Sequence, residues 1–284
     1  MLDKKVCEDG FVVSEKIPLI SVLMGVYNCA ATVEEAVQSI ANQSIADWEF
    51  IICDDGSSDD TWEVVQKLAE QEPRIVLIHN EKNVGLAPTL NHCLRYARGT
   101  YTARMDGDDI CAPDRFEKEL AVLTADPACA VVSCAMLSYD ENGVYGQSNY
   151  PEKPDKIDFF RMSPFCHAGC MMRKTVLLEL GGYNESDAVR RFEDYDLWYR
   201  LYKDGYYGRN LPEPLYSMRD DRNAYKRRKM KYRLNSCKLR MQIYRDFKPG
   251  IRYLPGVFMP VIKGLLPEKL YTYLRRRKLQ KHIS

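Results

Sequence analysis

Leu19-Ile20-Ser21-Val22-Leu23-Met24-Gly25-Val26 is an apolar run that stops at Tyr27-Asn28. So short a run, with no polar alternation, suits a strand buried on both faces. Thr32-Val33-Glu34-Glu35 follows in the form of a capping box, threonine at the cap and glutamate three places on. Behind it Val33, Ala36, Val37 and Ile40 recur at helical spacing. The pairing then repeats. Trp48–Cys53 reads as a strand ending in Asp54-Asp55-Gly56-Ser57-Ser58-Asp59-Asp60, and Val64, Val65, Leu68 and Ala69 mark a second helix. Arg74–His79 reads as a third strand. Asn80-Glu81-Lys82-Asn83-Val84-Gly85 leads to a third helix carrying Leu86, Leu90, Cys93, Leu94 and Ala97, with Gly99 placed as its C-cap. A fourth strand runs into Asp106. This alternation predicts an α/β fold with a Rossmann-like, mostly parallel central sheet flanked by helices. In such open sheets ligands bind beyond the carboxyl ends of the strands. Tyr27-Asn28, Asp54-Asp55 and Asp106–Asp108 each follow a strand, so they are expected to meet on one rim.

Asp106-Gly107-Asp108-Asp109 sets three carboxylates within four positions. Clustered carboxylates repel one another unless a cation neutralises them. Hard divalent cations such as Mg²⁺ or Mn²⁺ share a few carboxylates with substrate phosphates. A metal–diphosphate site is the functional reading, and an acidic solvated turn is the bland one. Convergence of three loops on one rim favours the first. No Gly-x-Gly-x-x-Gly follows the first strand, and no Gly-x-x-x-x-Gly-Lys-Ser/Thr is present. A dehydrogenase and a P-loop enzyme are therefore disfavoured.

In their order and spacing, Val26-Tyr27-Asn28, Asp54–Asp59, Asn83-Val84-Gly85-Leu86 and Asp106–Asp109 resemble the inverting family-2 glycosyltransferases of bacterial polysaccharide and glycolipid synthesis, which have the GT-A fold. The resemblance continues through His167, Gly181-Gly182-Tyr183 and Glu193-Asp194-Tyr195-Asp196-Leu197-Trp198, and covers residues 17–220. It implies a nucleotide diphosphate-sugar donor, with UDP expected, bound with Mn²⁺ or Mg²⁺. Val26, Tyr27, Asn28, Asp55, Asn83, Gly85 and Asp106 are then expected at the donor. Tyr27 would lie against the nucleobase and Asp55 would accept a hydrogen bond from it. Asp108 would ligate the metal, with Asp106 facing the ribose or the metal. His167 would stand on the acceptor side. Asp194, with Glu193 in reserve, would be the base that takes the acceptor's proton. The bland readings are turn-forming roles for Asp55, Asn83 and Gly85, a core histidine at His167, and dipole-favoured acids at a helix start. One departure is visible. Many relatives carry a Tyr-Arg-x-His-like stretch where this chain has Tyr216-Ser217-Met218-Arg219-Asp220-Asp221, so Arg219 or Arg222 is the expected partner of the diphosphate.

Beyond Asp109, Ile110–Asp114 reads as a turn, Arg115–Leu123 as a helix and Ala128–Leu137 as a strand. Residues 138–158 read as a loop or irregular hairpin, Cys166–Arg173 as a strand and Tyr195–Lys203 as an amphipathic helix. Ten cysteines are present without a Cys-x-x-Cys pair, and Cys166 and Cys170 with His167 give only a weak zinc signal. With no apolar signal segment at the start, a reducing cytoplasm is expected.

The net charge of +1 conceals a division: residues 222–284 hold 19 Lys and Arg against Asp246 and Glu268. The expected organisation is a lead-in at 1–16, a catalytic domain at 17–221 and a basic amphipathic helical tail at 222–284. The domain comprises a nucleotide-binding half (17–110) and an acceptor half (111–221). Basic segments interspersed with Leu, Phe and Tyr fit an anionic membrane surface at the inner face of the membrane. The competing reading packs the tail on the acidic body. Nucleic acid is not an expected partner, since no RNA-binding motif accompanies the charge. The function expected is transfer of a sugar to a glycan or lipid-linked acceptor. A catalytically silent sugar-binding relative is one alternative. A Mg²⁺-dependent phosphotransferase using Asp54 or Asp55 as nucleophile is another.

Overall fold

A computed structural model describes residues 4–6, 12–14, 16–220 and 229–280. A short antiparallel hairpin, β1 (Lys4–Val6) and β2 (Val12–Ser14), precedes the main sheet. That sheet opens with β3 (Ile20–Val26), α1 (Val33–Ala41), β4 (Trp48–Asp54), α2 (Thr61–Gln71), β5 (Ile75–His79), α3 (Leu86–Tyr96) and β6 (Tyr101–Arg104). In space the strands run β5-β4-β3-β6, all parallel, as the alternation predicts. β4 is buried along its whole length because helices cover both faces. Leu23 and Ile51 pack with Leu90 and Cys93 of α3, while Val22, Met24, Phe50 and Ile52 pack with Val33, Val37 and Ile40 of α1. The chain leaves β5 and returns on the other side of β3. Strand order reverses there, and a crevice opens at the carboxyl ends of β3, β4 and β6.

The second half adds β7 (Ile110–Cys111), α4 (Arg115–Ala125), β8 (Cys129–Asp140), β9 (Gly143–Ser148), β10 (Met171–Arg173), α5 (Lys174–Glu179), α6 (Glu193–Lys203) and β11 (Tyr207–Arg219). β10 lies antiparallel between β6 and β8, β11 runs parallel to β8, and β7 closes the edge. Three local expectations are corrected. The strand expected over Cys166–Arg173 is confined to Met171–Arg173; before it, Ser133 Oγ holds both the Cys166 N–H and its carbonyl at 3.0 Å. The turn expected at Ile110 contains the edge strand β7. Thr32 does not close a capping box: its hydroxyl donates to Cys29 O (3.2 Å) and Gly107 O (2.9 Å), tying the first rim loop to the acidic loop.

After β11 come α7 (Met230–Phe247), α8 (Leu254–Leu265) and α9 (Glu268–Gln280). Leu239 and Ile243 of α7 and Val257 of α8 are buried in the core that holds Trp198, Phe159 and Leu201. Phe247 meets Phe159 edge-on at 5.6 Å, and Asp246 accepts from Tyr199 Oη and pairs with Lys203 Nζ at 3.1 Å. α9 lies so close to β9 that a Cβ on Gly146 would stand 2.5 Å from Leu279 Cβ. Arg276 of α9 reaches Asp140 at 3.0 Å and Asp220 at 3.2 Å. These described residues therefore pack on the body, as the competing reading of the tail has it. A second face stays in solvent: Ile251, Phe258, Met259, Ile262 and Leu265 are exposed. Arg222 and the Lys226–Arg228 cluster lie outside the described residues. No helix among the described residues is long and apolar enough to cross a membrane.

Candidate active site

The Asp55 N–H donates to Val26 O at 2.8 Å and carries its side chain onto the rim. Its buried carboxylate accepts from Asn80 Nδ2 and the Val84 N–H on Oδ1, and from the Gly85 N–H on Oδ2, each at 2.9 Å. Asn83–Gly85 is thus wrapped around Asp55, with Gly85 at φ +100°, a conformation open to glycine. Asn28, at φ +51°, accepts from the Ser58 N–H at 2.8 Å and donates its own N–H to Ser57 Oγ at 3.0 Å. Its amide therefore joins the first two rim loops. A cleft of about 230 Å³ results, lined by Val26, Tyr27, Asp55, Asn83 and Gly85 from the first half and by Arg190, Arg191 and Glu193 from the second. Five of the residues expected at the donor meet here. Half of the Tyr27 surface is exposed, so its ring is open to stacking.

Beside the cleft stands the acidic loop. Arg104, buried behind it, donates to Leu23 O and Met105 O at 2.9 Å and pairs with Asp106. Tyr216 Oη accepts from the Asp106 N–H at 3.2 Å and donates to Asp109 Oδ2 at 2.8 Å, and the Arg219 N–H donates to Asp109 Oδ1 at 2.8 Å. Burial, reinforced by the charges of Asp106 and Asp108, pushes the Asp109 carboxyl up to about 8. Three carboxyl groups thus share one short loop, and a cation there would relieve their mutual repulsion. Asp108 is exposed at its tip, and Arg219 Nε donates to Asp108 O at 3.1 Å. Among the described residues no group of three His, Cys, Asp or Glu side chains is gathered as a ligand shell. Cys166, His167 and Cys170 make no such group: Cys166 Sγ contacts Met136 Sδ at 3.6 Å and His167 Nε2 lies 3.1 Å from Tyr183 Oη.

Glu193 and Asp194 occupy the first turn of α6. Glu193 is buried against the cleft of Tyr27 and Asp55, and its Oε2 has no hydrogen-bond partner. Burial, with Asp194 beside it, pushes its carboxyl up. Asp194 opens instead into a second cleft of about 260 Å³, between α6, α7 and α8. Arg191 belongs to the walls of both clefts and holds φ +76°, a conformation costing roughly 1–3 kcal/mol for a residue with a side chain. His167 lines neither cleft. It packs edge-on to Tyr183 and Trp198, and desolvation, with the nearby Arg104 charge, holds it neutral by lowering its pKa well below the usual value. Sequence reading missed Arg104, Arg115, Arg190 and Arg191. Arg115 is wholly buried, pairs with Glu119 at 3.2 Å and donates to Arg104 O at 3.0 Å. The position of Arg104, two residues before Asp106, was the available signal.

The family described as glycosyl transferase family 2 matches residues 21–181. This chain belongs to that family. The family 2 glycosyltransferase is 39% identical to EpsE of Bacillus subtilis over 92% of its own length and 95% of EpsE. Its fold is the GT-A fold of solved glycosyltransferases. It superposes on the mannosyltransferase PcManGT of Pyrobaculum calidifontis, solved with GDP-Man and Mn²⁺, with a TM-score of 0.62 and 21% identity over 92% of this chain and 80% of that one. With residues 1–349 of S. aureus TarS, solved with UDP-GlcNAc, the TM-score is 0.65 at 18% identity, over 80% of this chain and 66% of that one.

Proposed function

We propose that this glycosyltransferase moves a sugar from a UDP-sugar to a hydroxyl of a glycan or lipid-linked acceptor by single displacement with inversion. The observation that carries the reading is the wall between the clefts: Glu193 faces the cleft of Tyr27 and Asp55, while its neighbour Asp194 faces the other. Inversion needs an acceptor hydroxyl on the side opposite the leaving group, with a base at hand. Tyr27 stacks on the nucleobase and Asp55 accepts its N–H. Asp108, with Asp106, would hold Mn²⁺ or Mg²⁺, and the bound cation supplies Lewis-acid neutralisation of charge on the departing diphosphate. Arg219 sits beside that loop and adds positive charge. Asp194 takes the proton from the attacking hydroxyl. Glu193, buried in the cleft wall with its Oε2 unpartnered, hydrogen-bonds the donor sugar. His167 fixes Tyr183 behind Arg104 and so acts on the acceptor side through packing.

UDP-sugars, GDP-mannose and other donors, each incubated with the purified protein and Mn²⁺, provide the test. Release of UDP from a UDP-sugar is expected, and silence with every donor would leave the sugar-binding relative as the better reading. A phosphotransferase is the weaker alternative, because Asp54 and Asp55 are both engaged as acceptors of loop hydrogen bonds. The exposed apolar face of α8, beside many cations, supports peripheral docking on an anionic membrane from the cytoplasmic side.

A further inference from the structure

The cleft that holds Asp194 is lined by five cations, Arg161, Arg191, Arg233, Arg240 and Lys263, against that single carboxylate. Some of this charge is built in. Arg240 is half-buried, its guanidinium donating to Phe159 O at 2.9 Å and Gly256 O at 3.3 Å and lying 4.5 Å over the Tyr195 ring. Carbonyls orient a guanidinium without neutralising it, and Arg240 Nε is buried with no hydrogen-bond partner. Buried Arg233 donates to Pro260 O at 3.1 Å, while Arg161 at the mouth pairs loosely with Asp158 at 3.5 Å. Lys263 and Tyr271 are shared with a larger cavity of about 710 Å³, whose walls include Met162, Leu266, Leu274 and Leu279. The exposed apolar residues of α8 lie on the same helix as Lys263. A base, a cationic seat, an apolar cavity and an apolar outer face thus follow one another.

We propose that the acceptor is a sugar carried on a prenyl-type lipid diphosphate, the diphosphate seated among Arg161, Arg191, Arg233, Arg240 and Lys263 and the start of the lipid chain in the adjoining apolar cavity. This rests on the reading of Asp194 as the base. Clustered arginines suit phosphate oxygens because each guanidinium presents a planar fork of donors. A neutral glycan would have no use for that charge, and a free nucleotide would have none for the apolar cavity.

The test uses the full chain with Mg²⁺ and saturating UDP, so that the donor cleft is filled, and titrates farnesyl diphosphate by calorimetry. Farnesyl diphosphate is expected to bind well above both inorganic pyrophosphate and farnesol. Replacing one exposed cation, in Lys263→Gln or Arg161→Gln, should weaken it by about tenfold, the loss of one charge-assisted hydrogen bond, with UDP affinity unchanged. Pyrophosphate binding as tightly as farnesyl diphosphate would reduce the cleft to a free-phosphate site. Displacement of farnesyl diphosphate by phosphatidylglycerol vesicles would reassign it to phospholipid headgroups. Unchanged binding in both variants would also overturn the proposal. UDP titrated alone reads the donor cleft separately: its failure counts against the donor reading, and the failure of farnesyl diphosphate with UDP bound counts against the acceptor seat.

Discussion

Glu193 and Asp194 are adjacent in the chain yet open into different clefts. Successive residues of a helix project about 100° apart, so the first turn of α6 can serve as a partition with one carboxyl on each side. Burial raises the Glu193 carboxyl, on the side of Tyr27 and Asp55.

Asp194→Asn keeps the shape and removes the base. Turnover should fall about 10²–10⁴-fold, the usual loss for general-base catalysis, while UDP affinity is kept. Glu193→Gln should lose far less, because Glu193 opens into the other cleft and is not the base in this assignment. Steady-state rates of the two variants, side by side, check the assignment; equal losses would contradict it.

Asp108→Ala should abolish the dependence of UDP binding on Mn²⁺ while the fold persists, since the side chain is exposed at a loop tip. Calorimetry with and without Mn²⁺ reads this directly. Chelation of the unaltered protein should give the same weakened affinity.

Arg115 and Glu119 are both fully buried and paired. Glu119→Ala strands the guanidinium and should cost about 3–5 kcal/mol, as breaking a buried pair by removing one partner does. Denaturant titration measures it. A change below ~1 kcal/mol, the scale of a surface pair, would mean that the guanidinium is solvated in solution.

Ending the chain at Asp221 removes Leu239, Ile243, Phe247 and Val257 from their seats on Phe159 and Trp198. The melting temperature should drop and a dye that binds exposed apolar surface should report the change. A chain that melts at the same temperature would show that these contacts contribute nothing.

Phe258→Ser with Ile262→Ser alters only the exposed face of α8. Sedimentation with anionic vesicles should fall, while the melting temperature stays within a few degrees. High salt should weaken binding of the unaltered chain only in part, because apolar contacts are not screened.

Much of the site was legible because it is built from strand ends. A period-2 or wholly apolar run followed by turn residues announces where a loop must leave the sheet, and so Tyr27, Asp55 and Asp106 could be placed on one rim. The strand β11 was not legible: Pro212 and Pro214 interrupt its pattern, and the pairing with β8 absorbs them through register shifts at Leu211/Pro214 and Pro214/Tyr216. Arg104, Arg115 and Arg240 were hidden for another reason. Nothing local distinguishes a buried arginine from a solvated one; only carbonyls supplied from distant strands and helices make the difference.

Gly146 has the position of a latch. Because Leu279 rests where a side chain at 146 would be, one methyl group added there wedges α9 from the sheet without shortening the chain. Gly146→Ala is therefore a switch for the experimenter: it unseats one wall of the apolar cavity, and with it Tyr271 of the Asp194 cleft, while leaving the loops of Tyr27, Asp55 and Asp106 in place.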